Sequence, residues 1–215
     1  GSASVTITVP QTVNGSHQIV ATSGITAGAT ASFTVSGGST AAATASFGSP
    51  SATPGSRVTL EVANFWSSER VEVYWDGRTS PTSAFQTGFT GGASVQVTIP
   101  TIPGGSHTVT VKGVSSGKSA TATITVLPIL ILTPPIGETG ARIVADVKGW
   151  TPGVSVTIYF DRPEGGSGGT SVCTATGRDS GTASCSFNVP SGYAVGTDVP
   201  VTAVGSAGSS TTTLR

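Results

Sequence analysis

Val71-Glu72-Val73-Tyr74-Trp75-Asp76 returns eighty-five residues later as Val156-Thr157-Ile158-Tyr159-Phe160-Asp161. Both stretches alternate large apolar residues with polar or outward-suited ones. A period of two sends successive side chains to opposite faces, so each stretch reads as a half-buried strand. Val71, Val73 and Trp75 fall on one face, as do Val156, Ile158 and Phe160. These faces are expected to form the core, with Tyr74 and Tyr159 pointing outward. The likeness extends upstream at the same offset, where Gly55–Phe65 aligns with Gly140–Trp150. An ungapped match from 55 to 76 is the mark of an internal duplication.

Downstream, the unit occurs three times. Ala3–Pro10, Ala93–Pro100 and Ala183–Pro190 align without gaps, with prolines at 10, 100 and 190. Each alternates and ends at proline, as a strand does. Asn14–Val20 then matches Gly104–Thr110, and each copy finishes in one more alternating run: Ala29–Val35, Ser119–Val126 and Ser209–Leu214. The expected organisation is therefore the back half of a repeat at 1–36, a flexible Gly/Ser/Ala linker at 37–44, and complete repeats at 45–126 and 127–215. Residues 1–36 supply about three strands, too few to close a two-layer core. Their complement is expected from elsewhere in the parent protein or from another chain. The second junction, Leu127–Pro135, is shorter and rich in proline, so it is expected to be stiff.

Composition narrows the function classes. The chain of 215 residues carries ten basic and ten acidic side chains. That balance offers no attraction to nucleic acid or to an anionic bilayer. No apolar run approaches the length of a membrane span, and no leader segment is visible. An extracellular or cell-surface location is expected, any export signal having been removed or lying outside these residues.

The combined pattern is Gly-x-Arg-Val/Ile, then Phe/Trp, then Val-x-Val/Ile-Tyr-Trp/Phe-Asp, then Ala-Ser with a closing Val/Ile-Pro, then Gly-Ser-His-x-Val. It resembles bacterial immunoglobulin-like extracellular repeats of the IPT/TIG type. The resemblance implies an all-β chain of tandem immunoglobulin-like sandwiches, two complete and one partial. It also implies a role as stalk, adhesin shaft, spacer or accessory module of a secreted enzyme. No cysteine pair is placed as in antibody-type domains, where one bridges the sheets.

Few residues invite chemistry. Cys173 and Cys185 flank Gly177-Arg178-Asp179-Ser180-Gly181, a turn by composition. A hairpin centred on Asp179 sets the cysteines directly opposite each other, close enough for a disulfide. His17 and His107 occupy equivalent positions after a Gly-Ser turn and read as strand-start residues. Asp76 and Asp161 read as turn residues. Asn14-Gly15-Ser16 is an N-glycosylation sequon. No catalytic residues, metal ligands or cofactor site are expected, because no Ser elbow, phosphate loop or ligand cluster is present. Expected partners are neighbouring repeats or copies of the same protein. A glycan or surface receptor on Tyr74 and Tyr159 is the alternative, and neither nucleic acid nor membrane insertion is expected.

Overall fold

The computed structural model describes residues 4–8, 15–23, 26–35, 41–194, 196–206 and 208–215. Every regular element among them is a β-strand. Cα proximity divides the chain into two compact units. One holds Gly1–Gly48, Thr59–Val95 and Thr108–Ala122; the other holds Ser49–Val58, Gln96–His107 and Thr123–Arg215.

The first strands form a hairpin, β1 (Gly15–Ser23) against β2 (Thr26–Val35), with His17 opposite Phe33 and Ile19 opposite Ala31. Ser4–Thr8 are not a strand, although alternation predicts one over Ala3–Pro10. Val5 is 84% exposed. The reason lies in what the equivalent segments pair with. In the complete repeats they bond to the long strand after the first turn, and the described residues of 1–36 contain no such strand. The hairpin survives because its two members need only each other.

The next eight strands are β3 (Thr44–Phe47), β4 (Ser51–Ala52), β5 (Arg57–Ala63), β6 (Arg70–Trp75), β7 (Ser83–Gln86), β8 (Ala93–Thr98), β9 (Gly105–Gly113) and β10 (Ser119–Val126). They form a sheet β3-β5-β8 and a sheet β4-β10-β9-β6-β7. The last seven are β11 (Ile129–Thr133), β12 (Arg142–Lys148), β13 (Ser155–Phe160), β14 (Thr170–Thr176), β15 (Thr182–Asn188), β16 (Val199–Gly205) and β17 (Gly208–Leu214). They form β11-β12-β15 and β14-β13-β16-β17. Apart from the short β4, the two sets of sheets have the same order. First, second and fifth strands make one sheet and the other four make the second, an immunoglobulin-like arrangement with the fourth strand on the larger sheet.

Alternation places the core as expected. Val71, Val73, Trp75, Val156, Ile158 and Phe160 are all buried. The Phe47 ring, from the three-stranded sheet, lies 6.5 Å from the Trp75 ring on the facing sheet. In the second sandwich one apolar cluster draws Trp150, Ile143 and Phe187 together with Ile158, Phe160 and Val201. Each buried large side chain of this kind contributes on the order of 1.5–3 kcal/mol.

The turns are duplicated as well. Left-handed φ angles recur at Gly55 (86°) and Gly140 (82°), Asn64 (64°) and Gly149 (72°), Asp76 (49°) and Asp161 (61°), and Gly91 (75°) and Gly181 (77°). Asp and Asn tolerate this region and Gly adopts it freely, which explains why these types stand there.

Candidate interaction surfaces

Cys173 and Cys185 are bonded, with Cα atoms 6.1 Å apart. The expected route to that bond is corrected. Cys173 pairs with Ile158 on β13, and Cys185 pairs with Ala145 on β12. The two cysteines therefore sit in different sheets rather than across a hairpin ladder. The tight turn at Arg178–Gly181, closed by Gly181 N donating to Arg178 O at 2.9 Å, carries the chain from one sheet to the other. This is an inter-sheet staple after all, though between the fourth and fifth strands.

Tyr74 and Tyr159 are half-buried on the outer face of their strands. Lys112 Nζ lies 5.0 Å from the centre of the Tyr74 ring, and the Arg162 guanidinium lies 4.5 Å from that of Tyr159. One face of each ring is thus covered by a cation of its own repeat. Tyr74 Oη donates to Glu72 Oε2 at 2.7 Å. That bond holds the Glu72 carboxyl below its ordinary range and the Tyr74 hydroxyl above its own. Asn14 lies outside the described residues.

His107 Nε2 is 2.8 Å from Pro103 O, at the turn before its strand. At the ninety-residue offset Thr197 stands in the third copy's place, and the adjacent Asp198 meets Arg215 at 3.4 Å. Asp76 Oδ1 accepts from Thr108 N, and Asp161 Oδ2 accepts from Tyr193 Oη at 3.1 Å. Burial, then this bond, raises the Tyr193 hydroxyl above its ordinary value. Among the described residues no group of three His, Cys, Asp or Glu side chains converges on a metal-sized space. No helix among them is long and apolar enough to cross a membrane.

Three features escape the sequence patterns. Glu69 is only 1% exposed. Its carboxylate accepts from Trp66 N at 3.0 Å, from Ser115 N at 2.8 Å and from Ser116 N, while its own N–H donates to Thr87 Oγ1 at 2.8 Å. One buried residue therefore ties together three loops at one end of the first sandwich, two through its carboxylate and the third through its backbone. The signal was a charge opposite apolar Val154 in the aligned repeat.

Those loops carry the turn Gly88–Gly91, closed by Gly91 N donating to Gly88 O at 3.0 Å. Phe65 N donates to Gly91 O and Ser68 N to Gly88 O, which fixes the turn to its neighbour. A Cβ on Gly91 would overlap the Phe65 carbonyl, so the approach needs glycine. At the tip Phe89 is 92% exposed.

The third feature lies in the other compact unit. A cavity of ≈ 260 Å³ opens where the second sandwich ends, lined by Ile136, Phe160, Val189, Tyr193, Val199 and Leu214 among others. Within the same unit, a Cβ on Gly181 would overlap the Ile102 carbonyl, and one on Gly104 would overlap the Gly149 carbonyl. The 178–181 and 149 turns therefore meet the 102–104 segment backbone to backbone.

No protein-family model matches the chain, and no curated protein matches it. Solved structures that resemble it include FdeC, an Escherichia coli adhesin, at 13% identity over 86% of this chain and 68% of that one, TM-score 0.35. The Yersinia pseudotuberculosis adhesin InvE matches at 15% identity over 80% and 58%, TM-score 0.32. A tetra-tandem repeat from the extending region of a large adhesion protein matches at 16% over 80% and 47%, TM-score 0.33. The fold assignment rests on strand order and register, not on these likenesses.

Proposed function

We propose that this chain is a non-catalytic spacer segment of a secreted or cell-surface protein. The observation that carries the reading is the duplicated sandwich joined through glycine-only backbone contacts. Only two residues, Leu127 and Pro128, separate β10 from β11. Gly104, Gly149 and Gly181 let the joining segments approach where a Cβ would not fit. A spacer needs repeated, independently closed units and a short junction, and it needs no ligand. The disulfide supports an oxidising compartment.

A finer assembly reading belongs beside it. The β1–β2 hairpin corresponds to the last two strands of each complete repeat, and it leaves Ile19 37% and Val20 56% exposed. Strands of another repeat, added to its edge, would cover that surface.

Single-molecule extension tests the spacer reading. Two unfolding events of similar length are expected. The second is expected to lengthen on reduction, because the disulfide locks out a span of 12 residues, or about 40 Å at ~3.3–3.6 Å per residue. A single event spanning the whole chain, or a saturable small ligand found by calorimetry, would sink the reading.

A further inference from the structure

We infer that copies of this chain join end to end, with Phe89 of one copy seated in the cavity beside Ile136 of the next. The inference deepens the spacer reading and rests on it, by naming the partner that such a segment meets at its ends.

A contact of this kind is already made inside one compact unit. There the turn Arg178–Gly181 lies against Ile102–Pro103, with Gly181 stacked on the Ile102 carbonyl. The ninety-residue repeat maps that turn onto Gly88–Gly91 and maps Ile102 onto Gly192. The same period maps Ile102 back onto Thr12, which lies outside the described residues. The 92% exposure of Phe89 leaves the tip of the 88–91 turn open to a second pair of surfaces: that turn on one copy and the segment around Gly192 on another.

At this second pair the side chains have changed hands. Inside the chain the receiving segment carries a large apolar residue, Ile102, which is 4% exposed, and the turn carries Asp179 at its tip. At the free surfaces the receiving position is Gly192, where nothing lies within 4 Å of a Cβ, and the turn carries Phe89 at its tip. Volume missing from one side reappears on the other.

The hole fits what the turn offers. An apolar cavity of roughly 150 Å³ holds a benzene ring, and this one measures ≈ 260 Å³. Its wall already contains an aromatic pair, with Phe160 and Tyr193 edge-on at 5.0 Å. A third ring adds to an existing aromatic arrangement. The knob is rigid, because the Phe65 and Ser68 backbone bonds hold the turn and Glu69 and Thr87 bond each other at its base, Glu69 N to Thr87 Oγ1 and Thr87 N to Glu69 O, so little conformational entropy is lost on docking. Zero formal net charge leaves no long-range repulsion between copies.

Such a contact joins unlike surfaces, so it continues from copy to copy rather than closing a pair. The test uses the full chain and two exposed substitutions, Phe89→Ser and Ile136→Glu. Ile136 is 65% exposed at the cavity, so both variants retain the core. In sedimentation velocity, the wild type is expected to form concentration-dependent oligomers and each variant to remain monomeric. An equimolar mixture of the two variants is expected to give dimers and nothing larger, because one intact knob meets one intact hole and the remaining ends are blocked. Wild type that stays monomeric at millimolar concentration overturns the inference. So do variants that associate like wild type, and so does a mixture that stays monomeric. The lengths of the unfolding events stay the same in each of these cases, so the spacer reading is judged separately.

Discussion

The two sandwiches share a strand order and differ in what fastens them. In the first, the buried Glu69 carboxylate gathers backbone N–H groups from two loops while its own N–H reaches Thr87 on the third. In the second, Val154 stands at that position, and the Cys173–Cys185 bond ties the fourth strand to the fifth. Trp150 supplements it, its Nε1 donating to Val154 O at 3.1 Å. A frame of apolar alternation thus accepts either a polar hub at a loop end or a covalent staple between mid-strand positions. The frame is what the duplication preserves, and the fastener is free to change.

Removing the frame should have the largest effect, and it should be equal in the two copies. Trp75→Ala and Phe160→Ala each delete a fully buried aromatic, at a cost of about 3–5 kcal/mol. Each is expected to lower one of two calorimetric transitions and spare the other. Equal loss in both transitions would break the comparison.

The fasteners come next and should separate the copies. Glu69→Ala leaves buried N–H groups without an acceptor, and hydrogen bonds to charged groups are worth about 1.5–3 kcal/mol each. A loss of that order is expected in the first transition alone, together with weaker amide protection at Trp66, Ser115 and Ser116. Replacing both Cys173 and Cys185 with Ser is expected to lower only the second transition, by about 2–4 kcal/mol. Reductant added to wild type should reproduce that shift, and a shift in the first transition would contradict the assignment.

The smallest effect is pH-dependent. Tyr74 and Tyr193 titrate above their ordinary value in the fold, so each stabilises below the unfolded Tyr pKa and loses that contribution as pH rises through the folded one. Glu72 titrates below its ordinary value, so its contribution is present above the unfolded pKa and fades as pH falls through the folded one. The first sandwich should therefore soften slightly at both extremes through Glu72 and Tyr74, and the second at the alkaline one through Tyr193. Tyr74→Phe, followed by denaturant midpoints against pH, checks the difference.

The period-two pattern made the core legible, because burial of Val71, Val73 and Trp75 follows from alternation alone. The duplication made the equivalence of Asp76 and Asp161 as turn residues legible, and the fold gives both a left-handed φ. What stayed hidden depends on which strand lies beside which. Alternation in Ala3–Pro10 said nothing about the missing pairing partner. The symmetry of the cysteines about Asp179 held, but sequence distance could not reveal that the turn switches sheets. The role of Glu69 stayed hidden because the Ser115 and Ser116 N–H groups that it binds come from a loop far along the chain.

One detail of the ladders bears on how such a segment carries load. β4 runs parallel to β10, with Thr125 N donating to Pro50 O and Leu127 N to Ala52 O, both at 2.9 Å. Gly137 N donates to Arg215 O at 2.9 Å in the corresponding place of the second sandwich. Tension applied along the backbone leaves a parallel pair from opposite ends. Its bonds are then sheared together instead of peeled one after another, and each sandwich resists as a clasp whose strength is the sum of its links.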